Sequence, residues 1–355
     1  MNDTTERVPA DEPVRGRPGR PAARDAPPRR PIPGVRPMST PALPGPARAV
    51  LLLHRRSLLL FGAFVGSAAA GLVALGFAGA AAARTAGPCG SPGTGLPPCP
   101  PLQLPSYFDH SANLDSAASA IAWLPLVVAF HAGAVLFGSE LERGTAGLAW
   151  TQSVTPARWL AAKLAVPAAL LTAGLAVLSL LYRWARGAGP GNLFGDEWYS
   201  TDVFLALGPS VLAYGLLALA SGALAGLLLR SALPAGTLAL GATGLVWLLF
   251  DGLRDRLWPT ATVVWRESRG ELGNSAWEME HGLVLPSGEW VRQCVTPQSA
   301  TPPGCRPGTG IREWYAVYHP PSHFWPIQLV ETGILLALAA AATYAAFRVL
   351  RRRHA

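Results

Sequence analysis

The sequence predicts an all-α polytopic membrane protein with six transmembrane helices, and three observations predict it. Half of the 355 residues are hydrophobic and only 14% are charged, a balance outside the range of ordinary soluble domains. The apolar residues gather into six runs, Leu58 to Ala83, Ala117 to Gly138, Pro156 to Tyr182, Val203 to Leu229, Ala235 to Phe250 and Pro326 to Leu350. About 20 helical residues cross a hydrocarbon core, so five runs suffice outright and the fifth is short. The remaining charge is sorted between the connecting segments. Those assigned to one side hold 19 Lys plus Arg against 7 acids, and those on the other hold 10 against 13.

Counting only short loops and span ends sharpens this to 11 basic residues against 3, namely Arg84, Arg183 and Arg186. By the positive-inside rule both termini are expected in the cytoplasm of a plasma-membrane protein. A single lysine, Lys163, occurs in the chain. It is not part of a Gly-Lys-Ser/Thr sequence, so a phosphate-cradling loop of the Walker type is excluded. The cysteines fall as Cys89 with Cys99 and Cys294 with Cys305, all in segments expected outside the membrane. Oxidising surroundings favour two disulfides there, with three connectivities open.

Residues 1–46 are rich in proline and arginine and poor in large apolar side chains. They are expected to be a disordered cytoplasmic tail, most of which a start at Met38 would remove. Ala47 to Ser57 sets an apolar stripe beside Arg48, His54, Arg55 and Arg56, the composition of an interfacial elbow helix leading into the first span. The loop from Arg84 to Ser116 follows. The second span carries His131, a polar candidate for substrate contact, proton handling or a simple interhelical hydrogen bond. In the third span, Lys163 lies near the inner end, where it is expected to snorkel. Gly208 and Pro209 interrupt the fourth span. The short turn from Arg230 to Pro234 makes the fourth and fifth spans antiparallel neighbours.

Residues 251–325 form the largest outer segment and hold half of the 12 tryptophans. A strand-like run from Thr260 to Trp265, and a turn at Pro286 to Gly288 between two more apolar runs, predict a small β-rich, disulfide-tied domain. It is either a gate or a cover for the helix ends. Glu331 lies about 7 to 8 Å below the outer end of the sixth span at 1.5 Å per residue. A carboxylate there calls for a partner such as Arg254 or Arg256. Residues 351–355 close the chain with a basic cytoplasmic tail.

The segment from Ser139 to Lys163 stands apart from the spans around it. Gly138 is expected to end the second span. Ser139 with Glu142 has the spacing of a capping box, and Thr155 before Pro156 reads as the start of a new helix. Between them Leu148, Trp150 and Val154 are apolar residues with no reason to be displayed to water unless a partner covers them.

The run Glu140, Glu142, Arg143, Gly144, Thr145, Leu148, Ala149, Trp150, Thr151, Gln152, Ser153 and Val154, continued by Arg158, Trp159, Leu160, Lys163 and Leu164, resembles the actinobacterial type-2 ABC exporter permeases. A second likeness lies at His319 to Gly333, and the resemblance covers the chain from about residue 47 onward. It implies that residues 139–155 hold a cytoplasmic coupling helix that docks on a separate ATPase. ATP and Mg would be bound by that partner, with no cofactor on this chain. A second permease copy or a sister permease would complete a dimer in the lipid bilayer, and nucleic acid is not an expected partner. The function implied is an exporter subunit, not an enzyme, and apolar span walls favour an amphipathic or lipid-like cargo.

Two other classes compete with it. An outer ligand-binding sensor or immunity protein would need only the residue 251–325 domain. A membrane enzyme would use His281, His319 and His323, but Pro320 and Pro321 break the helical spacing a zinc pair would use, and no catalytic motif accompanies them.

Overall fold

The computed structural model describes residues 50–86, 104–146, 155–189, 197–266, 272–273, 275–285, 287–292 and 313–354. The expected tail, the four cysteines, and Leu148, Trp150 and Val154 lie outside the described residues.

Apolar runs of this length form helices because a membrane leaves backbone N–H and C=O groups no partner except one another. Helix α1 spans Arg55–Ala86, α2 Leu104–His131 and a π-helical segment Ala132–Gly138; α3 spans Ser139–Glu142 and α4 Pro156–Ala188. Then come α5 (Thr201–Leu207), α6 (Ser210–Leu229), α7 (Ala232–Leu253) and α8 (Phe324–His354). Six of these stretches are long and apolar enough to cross a membrane, which makes the chain a multi-pass membrane protein.

The bundle is organised around α6. In its apolar window 72% of residues are buried, against 6% in α1, so α6 is central and α1 peripheral. It packs on α2, the π segment, α4, α7 and α8, while α1 leans mainly on α4. Small residues set these distances. A Cβ at Gly222 would collide with Ala132 and the Gly133 backbone, and one at Gly133 with the Ala235 carbonyl. Close backbone approach of this kind is how membrane helices gain van der Waals contact without a hydrophobic driving force.

Several helix limits differ from the sequence reading. Helix α2 begins at Leu104 rather than near Ala117. Its polar first turns are held because the His110 ring sits against Gly79 of α1 and Gly189 after α4, where a Cβ would strike it. Hydropathy marks where the apolar band starts, not where backbone hydrogen bonding starts. Gly138 does not end the second span. It is right-handed helical, and the chain runs through the π segment into α3. Ser139 accordingly caps nothing; its Oγ donates back to the Val135 carbonyl. The stop is Gly144, at φ +69°, where a left-handed residue suits glycine. In the described part of the expected elbow, residues 50–53 are helical and a turn at His54 separates them from α1. Hydrogen bonds from His54 N to Val50 O and from Leu58 N to His54 O bridge that turn.

The break at Gly208–Pro209 separates α5 from α6, and one side chain from α8 repairs it. Gln328 Oε1 accepts from Ser210 N–H at 3.2 Å and from Ser210 Oγ at 2.7 Å, while Gln328 Nε2 donates to the Phe204 carbonyl at 2.5 Å. A Cβ on Gly208 would lie 2.2 Å from this amide, so glycine is needed for space.

The fold is not wholly α. Strands β1 (Ala261–Trp265), β2 (Trp277–Val284), β3 (Trp290–Arg292) and β4 (Glu313–His319) make an antiparallel sheet in the order β1-β4-β2-β3. The register of β2 against β4 shifts between Glu278 and Glu280, a bulge that bends the strand. Aromatic contacts fasten the base of the sheet to the helices. Trp277 stacks on Tyr199 with ring centroids 5.5 Å apart, Trp198 meets both Trp277 and Phe324, and Trp198 Nε1 donates to Ser275 O at 2.8 Å.

Replacing Gln328 with Leu keeps volume but strands three buried polar groups, at about 1–3 kcal/mol each before relaxation. A marked fall in the detergent-solubilised unfolding midpoint is expected for Gln328→Leu and for Gly208→Ala, and a smaller one for Ser210→Ala.

Candidate functional site

The end of the bundle that carries α3 holds its polar groups in one connected cluster. Glu140 faces inward from α3 with its side chain 13% exposed. Lys163 of α4 is 1% exposed and places Nζ 2.5 Å from Glu140 Oε2. Lys163 Nζ also donates to the Leu136 carbonyl in the π segment and lies 4.9 Å and 5.4 Å from the Trp159 and Phe137 ring centroids. The expected snorkelling is therefore wrong: a carboxylate, a carbonyl and two aromatic faces offer the ammonium a complete set of partners inside the protein. The other carboxylate oxygen of Glu140 is 3.1 Å from His54 Nε2. Because a carboxylate only accepts, that nitrogen carries the proton. One acidic side chain thus joins the start of α1, the end of the second span and the start of α4.

Glu142 extends the cluster to the fifth span. Its Oε2 accepts from Ala232 N–H at 2.8 Å, and Ala232 is the first residue of α7. Ser231 gives that helix no side-chain cap, so Glu142 supplies one from another element, where the helix dipole also favours negative charge. Thr145 Oγ1 donates to the Glu140 carbonyl at 3.2 Å, Arg143 is exposed, and Gly144 makes the left-handed turn. Thr155 accepts from Arg158 N–H and caps α4. At the same end, Arg353 of α8 donates to the Leu227 and Leu228 carbonyls that close α6.

A second polar cluster lies at the sheet end. Glu331, fully buried, is held by Arg254, with Nε to Oε2 at 3.0 Å. Arg254 also donates to Thr201 Oγ1 and stands 4.4 Å from the Phe204 ring centroid. Thr201 donates in turn to Asp251. Every buried charge in this group has an opposite partner, as burial requires. His319 and His323 come together, Nδ1 to Nδ1 at 3.0 Å, with His319 Nε2 2.9 Å from the Asp255 carbonyl. His281 lies apart, beside Glu278. Among the described residues no group of three metal-ligating side chains occurs.

His131 stands between these clusters. It has no hydrogen-bond partner among the described residues and lines an apolar cavity of about 480 Å³ between α1, α2 and α4. Cys89, Cys99, Cys294 and Cys305, like Leu148, Trp150 and Val154, fall outside the described residues. Sequence reasoning singled out Glu140 and Glu142 but not Lys163 or His54 as their partners. The available signal was the lone lysine of the chain set in an apolar span, which needs an acid if it turns inward.

Six apolar spans with a charged connection bonded to the helix ends define a multi-pass membrane protein. The family described as ABC-2 membrane transporter related matches residues 60–254. The match covers more than half of the chain, which belongs to this family. It is a multi-pass permease of the ABC-2 type, and membership implies an ATPase partner. Comparison with curated proteins and with solved structures returned no match.

Removing one member of a buried ion pair costs about 3–5 kcal/mol, since the other is left charged and dry. Lys163→Met and Glu140→Gln are each expected to lower stability in denaturant titrations of the solubilised protein. The double variant should lose clearly less than the two together, whereas strict additivity would mean that the two groups do not interact.

Proposed function

We propose that this chain is the membrane subunit of an ATP-driven exporter that moves an amphipathic or lipid-like substrate across the plasma membrane. Both termini and the Ser139–Lys163 connection lie in the cytoplasm, on the side where basic residues accumulate near span ends. A separate ATPase, carrying ATP and Mg, docks on the segment from Glu140 to Val154, with Trp150 as its apolar anchor. A second copy or a sister permease completes the transporter. The segments that hold Cys89, Cys99, Cys294 and Cys305 lie outside, where the four thiols pair into two disulfides with the connectivity open.

The observation that supports this reading best is the set of bonds made by Glu140 and Glu142. Pushing on an ordinary surface loop bends the loop. Here the connection after the second span is bonded to the start of α1, to α4 and to the first peptide N–H of α7. Displacing it displaces four helix ends. ATP-driven closure of the partner therefore has a mechanical path into the bundle, provided ATP binds one arrangement of the pair more tightly than the other. The fixed base of the sheet fits a cover over the helix ends better than a swinging gate.

The docking assignment is tested by co-purification with a co-expressed ABC-type ATPase. Trp150→Ala is expected to weaken the complex by tenfold or more, about 1.4 kcal/mol, as loss of an aromatic anchor does. Adding Glu142→Arg should abolish permease-dependent ATP turnover. An intact, responsive complex with the double variant would refute the assignment.

A further inference from the structure

The cavity beside His131 has a shape and a polarity that define what fits it. Its walls come from α1 and the residues just before it, α2 with the π segment, α4, and Leu219 of α6, and all but three of its lining residues are apolar. The three exceptions, His54, Ser57 and His131, sit towards the α3 end. His54 is already bonded to Glu140, which leaves His131 as the imidazole with no hydrogen bond among the described residues. Before and along α1 the lining runs from Val50 to Phe64, about 21 Å at 1.5 Å per residue. That is half of a bilayer about 40–45 Å thick with its head groups, the depth of one leaflet. The mouth opens sideways past Leu60 and Val127, which are 73% and 64% exposed, so entry is from the bilayer and not from water.

Polarity narrows the occupants. None of the lining side chains carries a fixed charge, so the occupant is apolar along its length. A single hydrocarbon chain fits. Beside the polar end, Arg55 and Arg56 are exposed at the start of α1, the placement that attracts an anionic head group.

We propose that the groove between α1, α2 and α4 binds one acyl chain of an anionic lipid of the inner leaflet, its head group lying over His131 and Arg55–Arg56. This deepens the exporter reading by naming a lipid class. It draws on that reading only for which leaflet the α3 end faces. Because His54 belongs both to the groove wall and to the Glu140 cluster, an occupant there touches the same residue that ties α1 to the docking segment.

The test uses the full chain in nanodiscs containing phosphatidylglycerol with a diazirine on one acyl chain. Label is expected on the peptides that contain Leu58 to Phe64 and Ala120 to Val128. Val127→Trp, which fills the mouth, should cut that labelling about tenfold, the equivalent of losing roughly two buried methylenes. Leu336→Trp, exposed on α8, should leave it unchanged. Replacing Arg55 and Arg56 with Gln should remove the advantage over a phosphatidylcholine probe. Label spread evenly onto α8, or indifferent to Val127→Trp, overturns the proposal. So does a disulfide between two copies carrying Val127→Cys, which would make the groove an interface between subunits. Labelling is read without ATP or the ATPase, so loss of docking in Trp150→Ala leaves this result standing, and the two readings fail separately.

Discussion

The structure depends first on a buried carboxylate. Glu140 sits in a place where an unpaired charge is prohibitively costly, and its two oxygens are divided between Lys163 and His54. The Lys163 ammonium is not tolerable there alone either, so the three side chains fix one another, and with them the ends of three spans. Glu142 and Arg353 do the same work with backbone groups: one satisfies the first N–H of α7 and the other the last carbonyls of α6. Helix termini are where a membrane bundle has unpaired polar groups to spare. This chain uses them as the attachment points of its charged connection.

Away from those ends the bundle is held by shape. Glycine and alanine on α6, the π segment and α7 bring backbones close enough that an added Cβ would meet another helix directly. The π segment places the Leu136 carbonyl where Lys163 reaches it, so the irregular turn and the buried lysine belong together; π turns are often found where a helix does something other than span. At the opposite end the interruption after α5 is stabilised by Gln328, and the buried Arg254–Glu331 pair joins the last span to the fifth. Both ends are therefore closed by polar contacts specific to particular residues, with a packed apolar interior between them.

Much of this was legible in the sequence. Six apolar runs fixed the spans, Gly208–Pro209 marked the break in the fourth, and the need of Glu331 for a cation pointed at Arg254 among the neighbours. What was not legible has physical reasons. Hydropathy records which side chains avoid water, so the polar first turns of α2 were read as loop. Gly138 looked like a helix stop because glycine often is one, yet here its missing side chain makes room for Ala232 and Ser231. Ser139 with Glu142 has capping-box spacing, but the serine bonds backward and the glutamate reaches a helix ninety residues on. Strand β4 went unread because its pairing with β1 and β2 is non-local. Lys163 near a span end is ordinarily drawn outward, and only the three-dimensional placement of Glu140, Trp159 and Phe137 turns it in.

The central claim is that the charged connection and the ends of the first and third spans move as one body. Spin labels at Arg56, Arg143 and Arg158, read by pulsed dipolar spectroscopy in the reconstituted transporter with and without trapped ATP, address it directly. The account predicts that the three mutual distances stay constant while all three labels shift together relative to a fourth at Arg256 on the sheet end. A change in the distances among the first three, with the connection moving alone, would contradict it.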